Sequence, residues 1–176
     1  MNAVLKLLPL LALVAHITLW VVALTTLGTI DGPYPTKFDL AGQPTQYSEG
    51  GAWLLPAVGL FILFMAVFVV SVTRRLAVSR PGVVNVPLKR LFVTLTPEDR
   101  LVAVEPVAEL LYAIAFFTNL LLASITLDAY DIATGVGDSM PSWKLIAALG
   151  GLAVLIAVFT IRMRRRIVDR ASRRSS

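Results

Sequence analysis

Glu109, Tyr112, Phe116, Asn119, Ala123 and Thr126 recur at spacings of three, four, three, four and three residues. On an α-helix that rhythm puts all six on one face. A carboxylate, a phenol, an amide and a hydroxyl in such a row could hold a ligand or pass a proton. The run around them is apolar, so each polar group needs a reason to be there. The only histidine, His16, and the lysine Lys6 belong to a second apolar run. A proton relay needs a chain of titratable groups, and one histidine and one carboxylate at different depths do not make one. The competing reading is an interhelical clasp, in which such hydrogen bonds contribute about 0.6–2 kcal/mol each. The clasp comes first, with a ligand or proton site at His16, Asn119, Glu109 and Lys6 as the alternative.

The elements that would carry these residues follow from hydropathy. Of 176 residues 57% are hydrophobic and 15% charged, with a mean hydropathy of +0.78. Soluble domains hold about 45–50% apolar and about 25% charged residues. The excess lies in four runs, and about 20 helical residues cross a hydrocarbon core of about 30 Å. The sequence therefore predicts an all-α integral membrane protein of one domain, a four-helix transmembrane bundle. Its spans are residues 4–27, 53–73, 107–127 and 143–161. The first run is too long for a signal peptide's apolar region of about 7–15 residues and lacks a good cleavage site, so it is expected to stay. His16 lies twelve residues in from Val4 and Asn119 twelve in from Val107. At about 1.5 Å per residue both sit about 18 Å deep. This predicts packing of the first span on the third, a His16–Asn119 hydrogen bond and a Lys6–Glu109 ion pair.

Charge sets the expected topology. Fourteen of the sixteen lysines and arginines fall at the N-terminus (Lys6), in segment 74–106 and in tail 162–176. The other side carries Lys37 and Lys144 beside Asp31, Asp39, Glu49, Asp131 and Asp138. The positive-inside rule puts both termini in the cytoplasm and loop 28–52 outside. The tail, with Arg164, Arg165 and Arg166, is expected to meet anionic lipid headgroups at about 1 kcal/mol per basic residue, not nucleic acid.

Local signals refine this outline. "TPED" at 96–99 is a helix start, with Thr96 as N-cap, Pro97 at N1 and two acids in the first turn. The helix it opens should run into the third span, with a kink at Pro106. Residues 78–95, which include Pro81, Gly82 and Pro87, should be extended or irregular and lie along the membrane surface. Ala147-x-x-x-Gly151 allows close helix approach, within the bundle before a homodimer seam. The outer loop "YPTKFDLAGQPTQYSEGG" is turn-rich. Gly42 suits positive φ, Pro44 stiffens the exit, Asp39 can accept backbone amides, and Phe38 and Tyr47 can fold back. A small ordered cap, hairpin-like or a single turn, is expected.

The residues Pro35-Thr36-Lys37-Phe38-Asp39-Leu40-Ala41-Gly42-Gln43-Pro44, then Tyr47, resemble the loop signature of the SdpI-like toxin-immunity family of bacterial membrane proteins. Asn85 and Pro87 in "NVPLKRLFVTLTPEDR" are similar to that family's segment before the third helix. The resemblance covers about two-thirds of the chain and is strongest at Phe38, Gly42 and Pro44. The family's usual loop histidine is Lys37 here, and its frequent loop lysine is Glu49. What the resemblance implies is a multi-pass protein of the bacterial cytoplasmic (inner) membrane, with an immunity or sensing role and a peptide or amphiphile ligand. No metal role is expected to carry over.

Catalytic patterns are absent from the sequence. It has no cysteine, no Ser/His/Asp set, no zinc-helix motif and no phosphate-binding glycine loop, so neither an enzyme nor a cofactor is expected. A binding and sensing protein is the first functional expectation. An accessory subunit of a larger membrane complex is the second, and a transporter, lacking inverted repeats, ranks last.

Overall fold

The computed structural model describes residues 6–30, 32–49 and 53–173. The expected span start at Val4, Asp31, loop residues 50–52 and Arg174 lie outside the described residues. Helix α1 (Leu8–Leu27) leads to a hairpin, β1 (Tyr34–Phe38) and β2 (Pro44–Ser48), then to helix α2 (Leu54–Ser79). A 3₁₀ turn (Pro81–Val83) and a short helix α3 (Lys89–Thr94) precede α4 (Pro97–Ala133) and α5 (Trp143–Ser172). The four longer helices are each long and apolar enough to cross a membrane.

Helix α4 starts where its sequence says. Thr96 Oγ1 accepts from Asp99 N at 3.2 Å and donates to Asp99 Oδ2 at 3.0 Å, with Pro97 in the first turn, where no N–H is needed. It then runs 37 residues without interruption through Pro106. At about 1.5 Å per residue that is about 55 Å, well beyond a hydrocarbon core of about 30 Å. Helix α4 touches α1, α2, α5 and β1, and its pairing with α1 is the most extensive in the molecule. Packing of the first span on the third is thus present.

Alanine makes that packing possible. Ala12, Ala15 and Ala23 of α1, Ala66 of α2, and Ala113, Ala115, Ala123 and Ala129 of α4 are buried, while Leu10, Ile17, Phe61, Phe64 and Phe68 face outward. Where lipid is as apolar as leucine, small residues favour contact by letting backbones approach. The small residues expected to do this in α5 do not. Ala147 is exposed, and a Cβ built on Gly150 or Gly151 meets nothing within 4 Å.

The segment after α2 also departs from expectation. Helix α2 continues five residues past Arg74 to Ser79. Residues 81–95, expected to lie flat, instead fold into a small core: Val84, Val86, Phe92 and Leu95 pack with Ala77, Ala103, Val104 and Ile167. Phe92 and Ile167 are completely buried. The prolines that suggested extended chain fall at the turns between α2 and α3, and of the β-branched valines Val84 and Val86 point into the core while Val83 and Val93 stay exposed. Phe92→Ala should cost about 3–5 kcal/mol and strip hydrogen-exchange protection from residues 81–95. Unchanged protection would mean that the segment has no core of its own.

Candidate functional site

Six residues of the α4 stripe turn inward, and their middle forms a closed clasp. His16 Nδ1 and Asn119 Oδ1 are 3.0 Å apart, the pairing that helix depth predicts. The indole Nε1 of Trp20, one turn along α1, donates to His16 Nε2 at 3.1 Å. An indole can only donate, so Nε2 accepts and the ring proton sits on Nδ1, donated to Asn119. Asn119 Nδ2 donates to Ala115 O at 2.8 Å. Both ring nitrogens are therefore occupied, and Asn119 is fully buried.

The third helix takes part through a missing side chain. A Cβ on Gly59 of α2 would collide with Asn119 Oδ1 and lie 2.6 Å from Leu19 Cδ2. Gly59→Ala should lower stability by about 1–3 kcal/mol, the usual cost of overpacking, read as a fall in the thermal midpoint in detergent. An unchanged midpoint would mean that the three helices are not locked at this level.

The arginine end is organised differently from the sequence expectation. Glu109 is paired not with Lys6 but with α5: Arg162 Nη1 lies 2.8 Å from Oε2, and Arg166 Nη2 lies 3.4 Å from Oε1. The Arg162 contact is an ion pair without hydrogen-bond alignment, because Oε2 has no hydrogen-bond partner. Depth counted along one axis fixes height but not the direction from which a partner comes, and α5 supplies arginines every fourth residue. Arg166 also meets Glu105 Oε2 at 2.7 Å, and Arg170 meets Asp99 Oδ1 at 2.9 Å. Asp99, Glu105 and Glu109 rising on α4 thus match Arg170, Arg166 and Arg162 descending on α5. Of the three arginines expected at lipid headgroups, Arg164 and Arg165 are exposed, whereas Arg166 is turned into this ladder.

Arg166 has a further partner. Pro106 has no N–H, so the carbonyl of Val102, four residues earlier, loses its helical donor. Arg166 Nη1 donates to Val102 O at 3.1 Å. Arg166→Ala should cost about 2–4 kcal/mol, since it leaves partly buried carboxylates and that carbonyl without their donors. In a Pro106→Ala background the loss should shrink by about 1 kcal/mol, because the backbone regains its own bond. Strict additivity of the two substitutions would exclude this role.

At the opposite end the hairpin is fixed in detail. The strands are antiparallel, pairing Tyr34 with Ser48 and Phe38 with Pro44. Asp39 Oδ1 accepts from Ala41 N at 2.9 Å and Gln43 N at 2.8 Å, and Gly42 adopts φ 82°. Gly42 O accepts from Met140 N at 2.9 Å, and a Cβ there would strike the Met140 carbonyl. Tyr34 is buried and donates its hydroxyl to Thr126 O at 2.9 Å, packed with Ala129 and Phe38. Burial, with the negative charge of Asp128 second, pushes the Tyr34 phenol well above its ordinary range. Pro44 is half-buried and Tyr47 exposed; Leu40, at the tip, is 88% exposed.

One cluster at this end carries no mark in the sequence reading. Lys144 Nζ lies 2.6 and 2.8 Å from the two carboxylate oxygens of Asp128 and 2.7 Å from Ser124 Oγ. A lysine beside a serine can suggest a nucleophile and its base. Here Nζ is fully engaged, donating to both oxygens of the Asp128 carboxylate and to Ser124 Oγ, so the serine oxygen accepts from the lysine and no lone pair of Nζ is directed at it. The arrangement clamps α5 to α4. Comparison with family models, known proteins and solved structures returns no match. Among the described residues no group of three His, Cys, Asp or Glu could hold a metal ion.

The structure brings His16 to Asn119 and gathers Phe38, Asp39, Gly42 and Pro44 in one hairpin. It does not bring Lys6 to Glu109 by a bond. Trp20 and Gly59 of the clasp were missed, as were Asp128 and Lys144. Asp128 stands one residue past the third apolar run, and Lys144 at the edge of the fourth. Opposite charges at matching span edges were the available signal.

Proposed function

We propose that the chain is a non-enzymatic integral membrane protein of the bacterial cytoplasmic membrane that recognises an extracytoplasmic peptide or amphiphile through its hairpin. One observation carries the reading: the hairpin is held rigidly, yet its tip presents an apolar side chain, Leu40, to the surroundings. A leucine kept exposed on a locked turn suits an apolar or amphiphilic partner, with little ordering cost on binding. The charge distribution supports an outward hairpin and an inward arginine end. The SdpI-like resemblance of Phe38, Gly42 and Pro44 supports an immunity-type role. Helix α4 runs from the Tyr34 contact at Thr126 to the folded segment 81–95, giving a continuous element through which binding could be felt inside.

A second reading, an accessory subunit of a larger complex, is favoured by α5. Its residues Ile146, Leu149, Leu152, Val154, Ile156 and Val158 are all exposed. The two readings separate by experiment. Cells carrying the wild type should survive a membrane-active peptide toxin better than cells without it. Leu40→Ser and Gly42→Ala should each reduce that protection about tenfold, the equivalent of about 1.4 kcal/mol of binding, at equal membrane levels. Protection undiminished in both, or none from the wild type, rejects hairpin recognition. A stoichiometric heteromer in native mass spectrometry would establish the subunit reading.

A further inference from the structure

A pocket of about 220 Å³ opens at the arginine end among α1, α2 and α4, lined by Lys6, Pro9, Arg74, Glu105, Glu109 and Tyr112. Its level in the bundle is set by where the apolar runs stop. Lys6 lies two residues before α1, Arg74 directly after Thr73 ends the uncharged stretch of α2, and Arg162 one after Ile161. In a bilayer this is the layer of the headgroups, where long basic side chains place their charges.

The electrostatics of the pocket select its occupant. Glu105 and Glu109 are on its wall, but Arg166 and Arg162 neutralise them from the α5 side. Lys6 and Arg74 come from two different helices, are exposed, and make no ion pair among the described residues. Four cations therefore stand against two carboxylates, and the two left over face the same space. Tyr112 adds a hydroxyl with no hydrogen-bond partner among the described residues. A guanidinium and an ammonium flanking a concave site are the usual recognition pair for a phosphate group. The volume is below the roughly 300–1,000 Å³ of sites for drug-sized ligands, which suits a headgroup better than a whole metabolite.

We propose that this pocket is a specific phosphate site occupied by the headgroup of an anionic membrane lipid, with Lys6 and Arg74 holding the phosphate. The lipid's tails would lie along the outward apolar face of α1 and α2, where Leu10, Phe64 and Phe68 are exposed. The site differs from the diffuse attraction of exposed arginines such as Arg164 and Arg165. Those belong to the opposite surface of α5, beside Ile161, Val168 and Asp169.

The test uses the full chain in detergent, with phosphatidylglycerol titrated in and bound lipid counted by native mass spectrometry. The wild type should retain one phosphatidylglycerol at detergent levels that strip the rest. Lys6→Gln with Arg74→Gln should weaken that lipid by about tenfold or more, as expected for losing charge-assisted contacts. Arg164→Gln with Arg165→Gln, which removes the same charge elsewhere, should change it by less than about twofold. Each single variant, Lys6→Gln and Arg74→Gln, should give an intermediate loss, which separates binding from any folding defect of the double variant. Equal losses in the two double variants would reduce the effect to net charge and overturn the proposal. Retention unchanged in Lys6→Gln with Arg74→Gln would overturn it too. Displacement of the lipid by an equal concentration of inorganic phosphate would overturn the lipid as occupant.

Discussion

A proline inside a long helix leaves a carbonyl without its donor, and here the donor comes from another helix. Pro106 frees the Val102 carbonyl, and Arg166 of α5 bonds to it while also pairing with Glu105 and Glu109. One guanidinium thus closes a gap in α4, neutralises two acids and fixes the height of α5. Its planar fork makes this possible, since a lysine has the charge but not the spread of donors. The remaining rungs, Asp99–Arg170 and Glu109–Arg162, fall into register once Arg166 is set. At the other end Lys144 locks the same two helices through Asp128 and Ser124.

Helix α5 needs these end clamps because its middle is hardly gripped. Among its described residues Phe159 and Ile167 are the buried ones, and most of its apolar run faces outward. The other three long helices are joined more closely, by alanines and by the His16–Asn119–Gly59 junction. The bundle is therefore a three-helix core with a fourth helix tied to α4. Its small residues are inside and its large apolar residues outside, the arrangement expected where the surrounding solvent is hydrocarbon. The hairpin and the segment 81–95 close the two ends, each with an aromatic buried against α4 or α5: Tyr34 at one and Phe92 at the other.

The amino-acid sequence by itself determined the four apolar helices, because length and hydropathy are local properties that need no partner. It also determined the Thr96 cap, the Asp39 turn and the positive φ at Gly42, all built from neighbours in the chain. The His16–Asn119 pairing was legible for a related reason: both side chains are rare polar groups in apolar runs, and equal depth left few other partners. Only the tertiary structure decided what depends on direction around a helix axis. It gave Glu109 to Arg162 and Arg166 instead of Lys6, turned Arg166 away from the lipid, and left exposed Ala147 and Gly151, which sequence spacing had placed first in close contact within the bundle. It also folded residues 81–95 into a core, because Phe92 and Ile167 are 75 residues apart in sequence and neither signals the other. Height along a helix can be counted from its ends, whereas the side from which a partner arrives is fixed by how all the helices pack at once.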